Sequence, residues 1–159
     1  MKSFALAVLA TLAAASKSNF PRDDAFHARC HVTAQFDGMT CDQLYTAVDK
    51  EIRAWNSDQT SPSGGVYTLK EEAGSDYIWS TRLTLNKKYT DDQLFEFSAS
   101  NGGCQITGRS RSQSMSYLDN DVNFCNQWNV YNQVGSDFTY TVGKCSGKPS
   151  DPATTCARY

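Results

Sequence analysis

The chain has 159 residues, six cysteines, and 15 Lys and Arg against 17 Asp and Glu, for a formal net charge of −2. That length suits one domain, and the mild acidity excludes a protein that holds nucleic acid through its overall charge. Gly-rich phosphate loops, Gly-x-Ser-x-Gly elbows, Cys-x-x-Cys pairs and Asn-x-Ser/Thr sequons are all absent from the sequence, so neither a cofactor nor a recognised nucleophile is expected.

Residues 1–16 carry a basic start at Lys2, an apolar run from Phe4 to Leu12 and small residues at Ala13, Ala14, Ala15 and Ser16. This is the pattern of a secretory signal peptide, cleaved after Ala15 or Ser16. The expected product is extracellular. Loss of Lys2 leaves 14 basic against 17 acidic residues and a charge of −3. No later stretch approaches the ~18 apolar residues of a membrane-spanning helix. Residues 17–27, polar and interrupted by Pro21, read as a flexible N-terminal segment, residues 28–145 as a single domain, and residues 146–159, with Pro149 and Pro152, as a tail clasped by its cysteine.

A short extended segment is expected from Ala28 to Phe36. Thr40 followed by Gln43 has the form of a capping box. Cys41, Leu44, Tyr45, Val48, Ile52 and Trp55 then recur at helical spacing, which predicts an amphipathic helix through Trp55. Asn56 to Gly65 is a loop. Beyond it the period changes to alternation, predicting strands at 66–71, 77–85, 93–99 and 104–113, with turns at 73–76, 86–92 and 100–103. A helix from Asp119 to Gly135 and a fifth strand at Phe138, Tyr140 and Val142 complete the series. The predicted fold is α+β: one antiparallel sheet of about five strands, arranged helix, four-strand meander, helix, strand, covered by two helices and stabilised by disulfides.

The stretch of residues 103–131 holds the candidate site. On the strand, Gln105, Thr107, Arg109, Arg111 and Gln113 share one face, and Cys104, Ile106, Gly108, Ser110 and Ser112 the other. Arg109 and Arg111, ~7 Å apart by strand rise, form a fork for an anionic group, unless acidic neighbours pair with them. In the following helix Phe124, Trp128 and Tyr131 make an aromatic stripe facing the core, and asparagines recur at 120, 123, 126, 129 and 132. Asparagine is a poor helix former. Such repetition points to amides that bind a ligand or a partner surface, with Asn126 and Asn129 as the expected contact residues, or to local capping.

An even cysteine count in a secreted chain implies a disulfide framework. Local order suggests Cys30 with Cys41, Cys104 with Cys125 and Cys145 with Cys156. His27, Cys30 and His31 resemble a metal cluster, but Cys30 is assigned to a disulfide and no third ligand is evident, so no metal is expected. The adjacent acids Asp23–Asp24 and Asp91–Asp92 read as turn or cap residues rather than as a catalytic pair.

The run DDQLFEF, then CQITGRSRSQS, then Asp119 or Asp121 and Asn123, resembles an uncharacterised family of small bacterial and plastid domains with an Arg-Ser-x-Ser strand. It also resembles small secreted, cysteine-containing proteins of unicellular eukaryotes. Neither group has an established activity. The resemblance implies that Arg109, Ser110, Ser112, Asp121 and Asn123 form one constellation, to which Trp128 is added from the aromatic stripe.

The expected function is a secreted, non-enzymatic module that binds a small amphipathic or anionic ligand, lipid-like or glycan. Its motive is the number of aromatic residues, among them Tyr67, Tyr77, Trp79, Phe95 and Phe97, beyond those that one small core requires. The first alternative is a structural or interaction subunit that self-assembles into an extracellular matrix, coat or filament through its low-charge polar surface. A secreted hydrolase without a recognisable motif is the second alternative.

Overall fold

The computed structural model describes residues 17–57 and 60–159. The expected signal peptide at 1–16 lies outside these residues. A 3-10 turn at Lys17–Asn19 precedes the first strand, β1 (Arg29–Asp37). Helix α1 (Cys41–Ala54) follows, then strands β2 (Val66–Glu72), β3 (Tyr77–Leu83), β4 (Thr90–Ser100) and β5 (Gly103–Ser112). Helix α2 (Val122–Val134), strand β6 (Phe138–Val142) and the short helix α3 (Pro152–Cys156) end the chain.

The class is α+β with one antiparallel sheet, now of six strands in the order β2-β3-β4-β5-β1-β6. The extra strand is β1, the segment from Ala28 read only as a short extension. It lies inside the sheet, with Val32 opposite Gly108 of β5 on one side and Val142 of β6 on the other. Its alternating burial follows from having one face under the helices.

Helix α1 starts where the capping box predicts: Thr40 Oγ1 accepts from the Gln43 backbone N–H, and Gln43 Oε1 accepts from the Thr40 N–H. Its Leu44, Val48 and Ile52 are buried against Val32, Ala34, Phe36, Ile78, Phe95 and Ile106 of the sheet. Each such side chain contributes about 1.5–3 kcal/mol of hydrophobic stabilisation, and Ile52→Ala alone is expected to cost about 2–5 kcal/mol.

Helix α2 is fixed differently, by polar side chains on backbone. Gln127 Oε1 accepts from the Val32 N–H at 3.1 Å and its Nε2 donates to the Cys30 carbonyl at 3.0 Å, while Tyr131 OH donates to the Val32 carbonyl at 3.0 Å. These contacts require a strand without a side chain at one point. Gly108 supplies it, since a Cβ there would collide with Tyr131 OH and Gln127 Oε1.

The outer face of the sheet is partly covered by residues 17–27. Phe20 meets Trp79 edge to face at 5.5 Å, in a small cluster with Tyr77 and Leu94. The tail is tied to α2 through Cys156.

The disulfides overturn the local pairing expected from the sequence. They join Cys30 to Cys145, Cys41 to Cys104 and Cys125 to Cys156. The reason is the place of β1. As an inner strand beside β6 it carries Cys30 to the segment that leaves β6, and its other end sets Phe36 opposite Cys104, next to the start of α1.

Candidate functional site

Sheet register assembles a polar layer at one end of the face beneath the helices. Tyr67 of β2 pairs with Arg82 of β3, Arg82 with Asp91 of β4, and Asp91 with Ser112 of β5, forming one row across four strands. A second row runs Ser80, Gln93, Ser110. All seven side chains lie on buried positions. The other end of the same face carries Ile78, Phe95, Phe97 and Ile106, so the face is polar toward one end of the strands and apolar toward the other.

The N-terminal half of α2 covers the polar end and answers it group by group. Ser110 Oγ donates to Asn123 Oδ1 at 2.7 Å, and Ser112 Oγ donates to Asp91 Oδ1 at 2.8 Å. Asn126 Nδ2 donates to Asp91 Oδ2 at 2.9 Å and to Ser110 Oγ at 3.1 Å. Asn123 Nδ2 donates to Ser112 Oγ and to Asp119 Oδ1, and the Asn123 backbone N–H also reaches the Asp119 carboxylate. Asp119 thus caps the first turn of α2. The residue between, Asp121, has positive φ and makes no capping bond of its own, and Asn120 before it also has positive φ. Asparagine and aspartate tolerate this conformation better than other side chains.

Burial governs the charges of this layer. Desolvation pushes the Asp91 carboxyl above its ordinary range despite the bonds from Asn126 and Ser112. Asp119 is pushed up to about 6, again chiefly by burial, with the bonds from Asn123 opposing the shift.

Beside the layer lies a pocket of about 510 Å³ between the β3–β4 hairpin tip, the 113–121 loop and the C-terminus. Arg82, Asp91, Ser112 and Asp119 lie at its floor. Arg82 is only 1% exposed and donates from Nη2 to Ser63 Oγ at 3.3 Å, while its Nε and Nη1 have no hydrogen-bond partner among the described residues. The rim is the reverse in character: Leu85, Tyr89, Met115 and Leu118 line the pocket and are exposed.

The residues expected from sequence fall into three groups. Ser110, Ser112 and Asn123 meet in the buried layer. Arg109 and Arg111 point to the opposite face, where Arg109 Nη2 donates to Glu96 Oε2 at 3.2 Å with its guanidinium 5.0 Å from the centre of the Phe20 ring, and Arg111 Nη2 donates to Asp24 Oδ2 at 2.6 Å. The alternation of a strand makes this separation unavoidable, because adjacent residues point to opposite faces. Asp121 flanks the layer without entering it, and Trp128 is half-buried against the core, away from the pocket. The single constellation implied by the resemblance is therefore divided by the sheet.

Asn126 and Asn129, expected as a contact surface, are buried. Asn126 is bound to Asp91 and Ser110, and Asn129 Nδ2 donates to the carbonyls of Cys156 and Tyr159. Three of the five recurring asparagines, Asn123, Asn126 and Asn129, serve the inside of the molecule, while Asn120 and Asn132 are exposed. The paired acids also diverge: Asp91 faces the layer, while Asp92 accepts from Trp79 Nε1 at 2.9 Å on the outer face. Asp24 and Asp23 contact His27 and His31 respectively.

Sequence reasoning missed Arg82 and Asp91. Their signal was the inward phase of two neighbouring strands, with Arg82 two residues after Ser80 and Asp91 two before Gln93, positions where a one-sided sheet carries apolar residues.

No family model matches the chain, and no curated protein matches it. Among solved structures, a Chromobacterium violaceum protein is similar at 9% identity over 70% of this chain and 96% of its own, with a TM-score of 0.45. An uncharacterised protein from Rhizobium leguminosarum is similar at 11% identity over 68% and 94%, with a TM-score of 0.38.

Proposed function

We propose that the protein is a secreted, non-enzymatic binding module that takes the polar head of a small amphipathic molecule into the pocket beside α2. The observation that carries this reading is the buried guanidinium of Arg82, which lines the pocket with two nitrogens, Nε and Nη1, unpartnered among the described residues. Burying a charged donor without an acceptor is costly, and an anionic or acceptor-rich head removes that cost. Ser112 and the two carboxyls supply further hydrogen-bonding positions, and the apolar rim suits a hydrocarbon tail. Three disulfides are consistent with an oxidising, extracellular setting. The assembly alternative loses its surface, because Asn126 and Asn129 are internal.

The test is native mass spectrometry on protein taken from its producing cells without lipid-stripping steps, followed by titration with octyl phosphate. An extra mass that leaves on denaturation, or saturable uptake of one octyl phosphate that weakens in Arg82→Lys, is the expected result. Absence of both in a folded protein refutes the reading.

A further inference from the structure

The polarity of the pocket is inverted relative to a site that opens to water. Among the described residues seven large hydrophobic side chains are exposed, and five of them, Leu85, Tyr89, Met115, Tyr117 and Leu118, belong to the two loops at the mouth. Met115 is 69% and Leu118 81% exposed. These loops are held in place: the Gln113 N–H donates to the Thr90 carbonyl at 2.9 Å, and the Ser116 N–H to the Phe26 carbonyl at 3.0 Å. The apolar groups are therefore presented in a fixed cluster, around a floor that is charged.

A water-facing site gains from apolar walls inside and polar groups at its edge. Here the edge is apolar and the depth polar, so the medium that suits the mouth is less polar than the floor behind it. Exposed basic side chains flank the cluster: Lys88 sits between Leu85 and Tyr89 on the hairpin tip, and Arg158 lines the pocket from the C-terminal side. The acidic groups Asp91 and Asp119 are buried beneath, and Asp121 is half-buried. Apolar tips bordered by cations fit the surface of an anionic bilayer, where the side chains enter the acyl boundary and the cations meet head groups.

We infer that the mouth docks on an anionic lipid surface, so that the ligand's head enters the pocket from the membrane while its tail remains in the acyl layer against Leu85, Met115 and Leu118. This rests on the head-binding reading of the same pocket. It removes a difficulty of that reading, since a free amphiphile with its head inward leaves its tail toward water.

The experiment is flotation of the full secreted chain with vesicles of phosphatidylcholine, alone or with about one quarter phosphatidylserine, alongside octyl phosphate titration. The variant is Tyr117→Asp with Lys88→Glu, at two exposed positions of the mouth that do not line the pocket. The wild type is expected to float with the anionic vesicles and to be released by salt. The double variant is expected to lose at least about tenfold in vesicle affinity, because membrane binding scales with the apolar area inserted and with the attraction of cations to anionic lipid, while keeping its uptake of octyl phosphate. Octyl phosphate uptake without vesicle binding, or vesicle binding unchanged in the double variant, overturns the surface inference and leaves the pocket reading standing. Vesicle binding lost in the double variant but with no octyl phosphate uptake supports the surface and overturns the pocket.

Discussion

Replacing Asp119 by Asn tests the electrostatics of the buried layer. The Asp119 carboxyl is held at about 6 against an ordinary 3.8, chiefly because it is buried. Each pH unit of that separation corresponds to about 1.4 kcal/mol, so the ionised form costs the fold about 3 kcal/mol as an upper order of magnitude. The sign follows from proton binding. Between the two values the folded chain holds a proton that the unfolded chain releases, so the contribution of Asp119 is full below about 3.8 and is lost as pH rises through about 6. An asparagine does not titrate and keeps one acceptor for the Asn123 donors. Urea unfolding of wild type and Asp119→Asn at pH 4 to 7.5 gives the stability gap at each pH. Carboxyls held low elsewhere, such as Asp24 and Glu72, cancel in that gap. The expected outcome is that Asp119→Asn gains about 2–3 kcal/mol relative to wild type on going from pH 4 to pH 7. A gap that stays constant across this range refutes the assignment of a strained buried carboxylate at the start of α2.

Three further outcomes are expected. Asn126→Leu leaves Asp91 Oδ2 and Ser110 Oγ without their donor and should cost about 2–3 kcal/mol in chemical denaturation. Gly108→Ala should cost about 1–3 kcal/mol or more by driving a methyl group into Tyr131 OH and Gln127, and fluorescence-monitored melting reads it directly. Arg109→Met and Arg111→Met should leave octyl phosphate uptake unchanged, because both side chains lie across the sheet from the pocket; weakened uptake in either would contradict the geometry.

Much of the scaffold was legible because its signals are local. The capping box at Thr40 and Gln43 marks the start of α1, the Ser100-Asn101-Gly102-Gly103 run makes the β4–β5 turn with Gly102 at positive φ, and strand alternation separates Ser110 and Ser112 from Arg109 and Arg111. What stayed hidden depends on long-range adjacency. Nothing near residues 29–37 says that this strand lies between β5 and β6, and every disulfide follows from that insertion or from the docking of α2. The candidate site was half legible for the same reason. Ser110, Ser112 and Asn123 are close in sequence, whereas Arg82 and Asp91 reach them only through the pairing of β3, β4 and β5.

The arrangement of the three bridges also constrains the order in which a growing chain acquires them. Synthesis releases Cys41 soon after Cys30, yet the fold never joins that pair; the partner of Cys30 emerges 115 residues later, and that of Cys125 emerges 31 residues after it. Cys41 and Cys104 form the first native pair to be complete. A nascent chain entering an oxidising compartment thus meets its wrong neighbour first, and needs either late oxidation or thiol exchange to reach the native set. The inner position of β1, between β5 and β6, makes the emergence of Cys145 the condition for closing the bridge from Cys30.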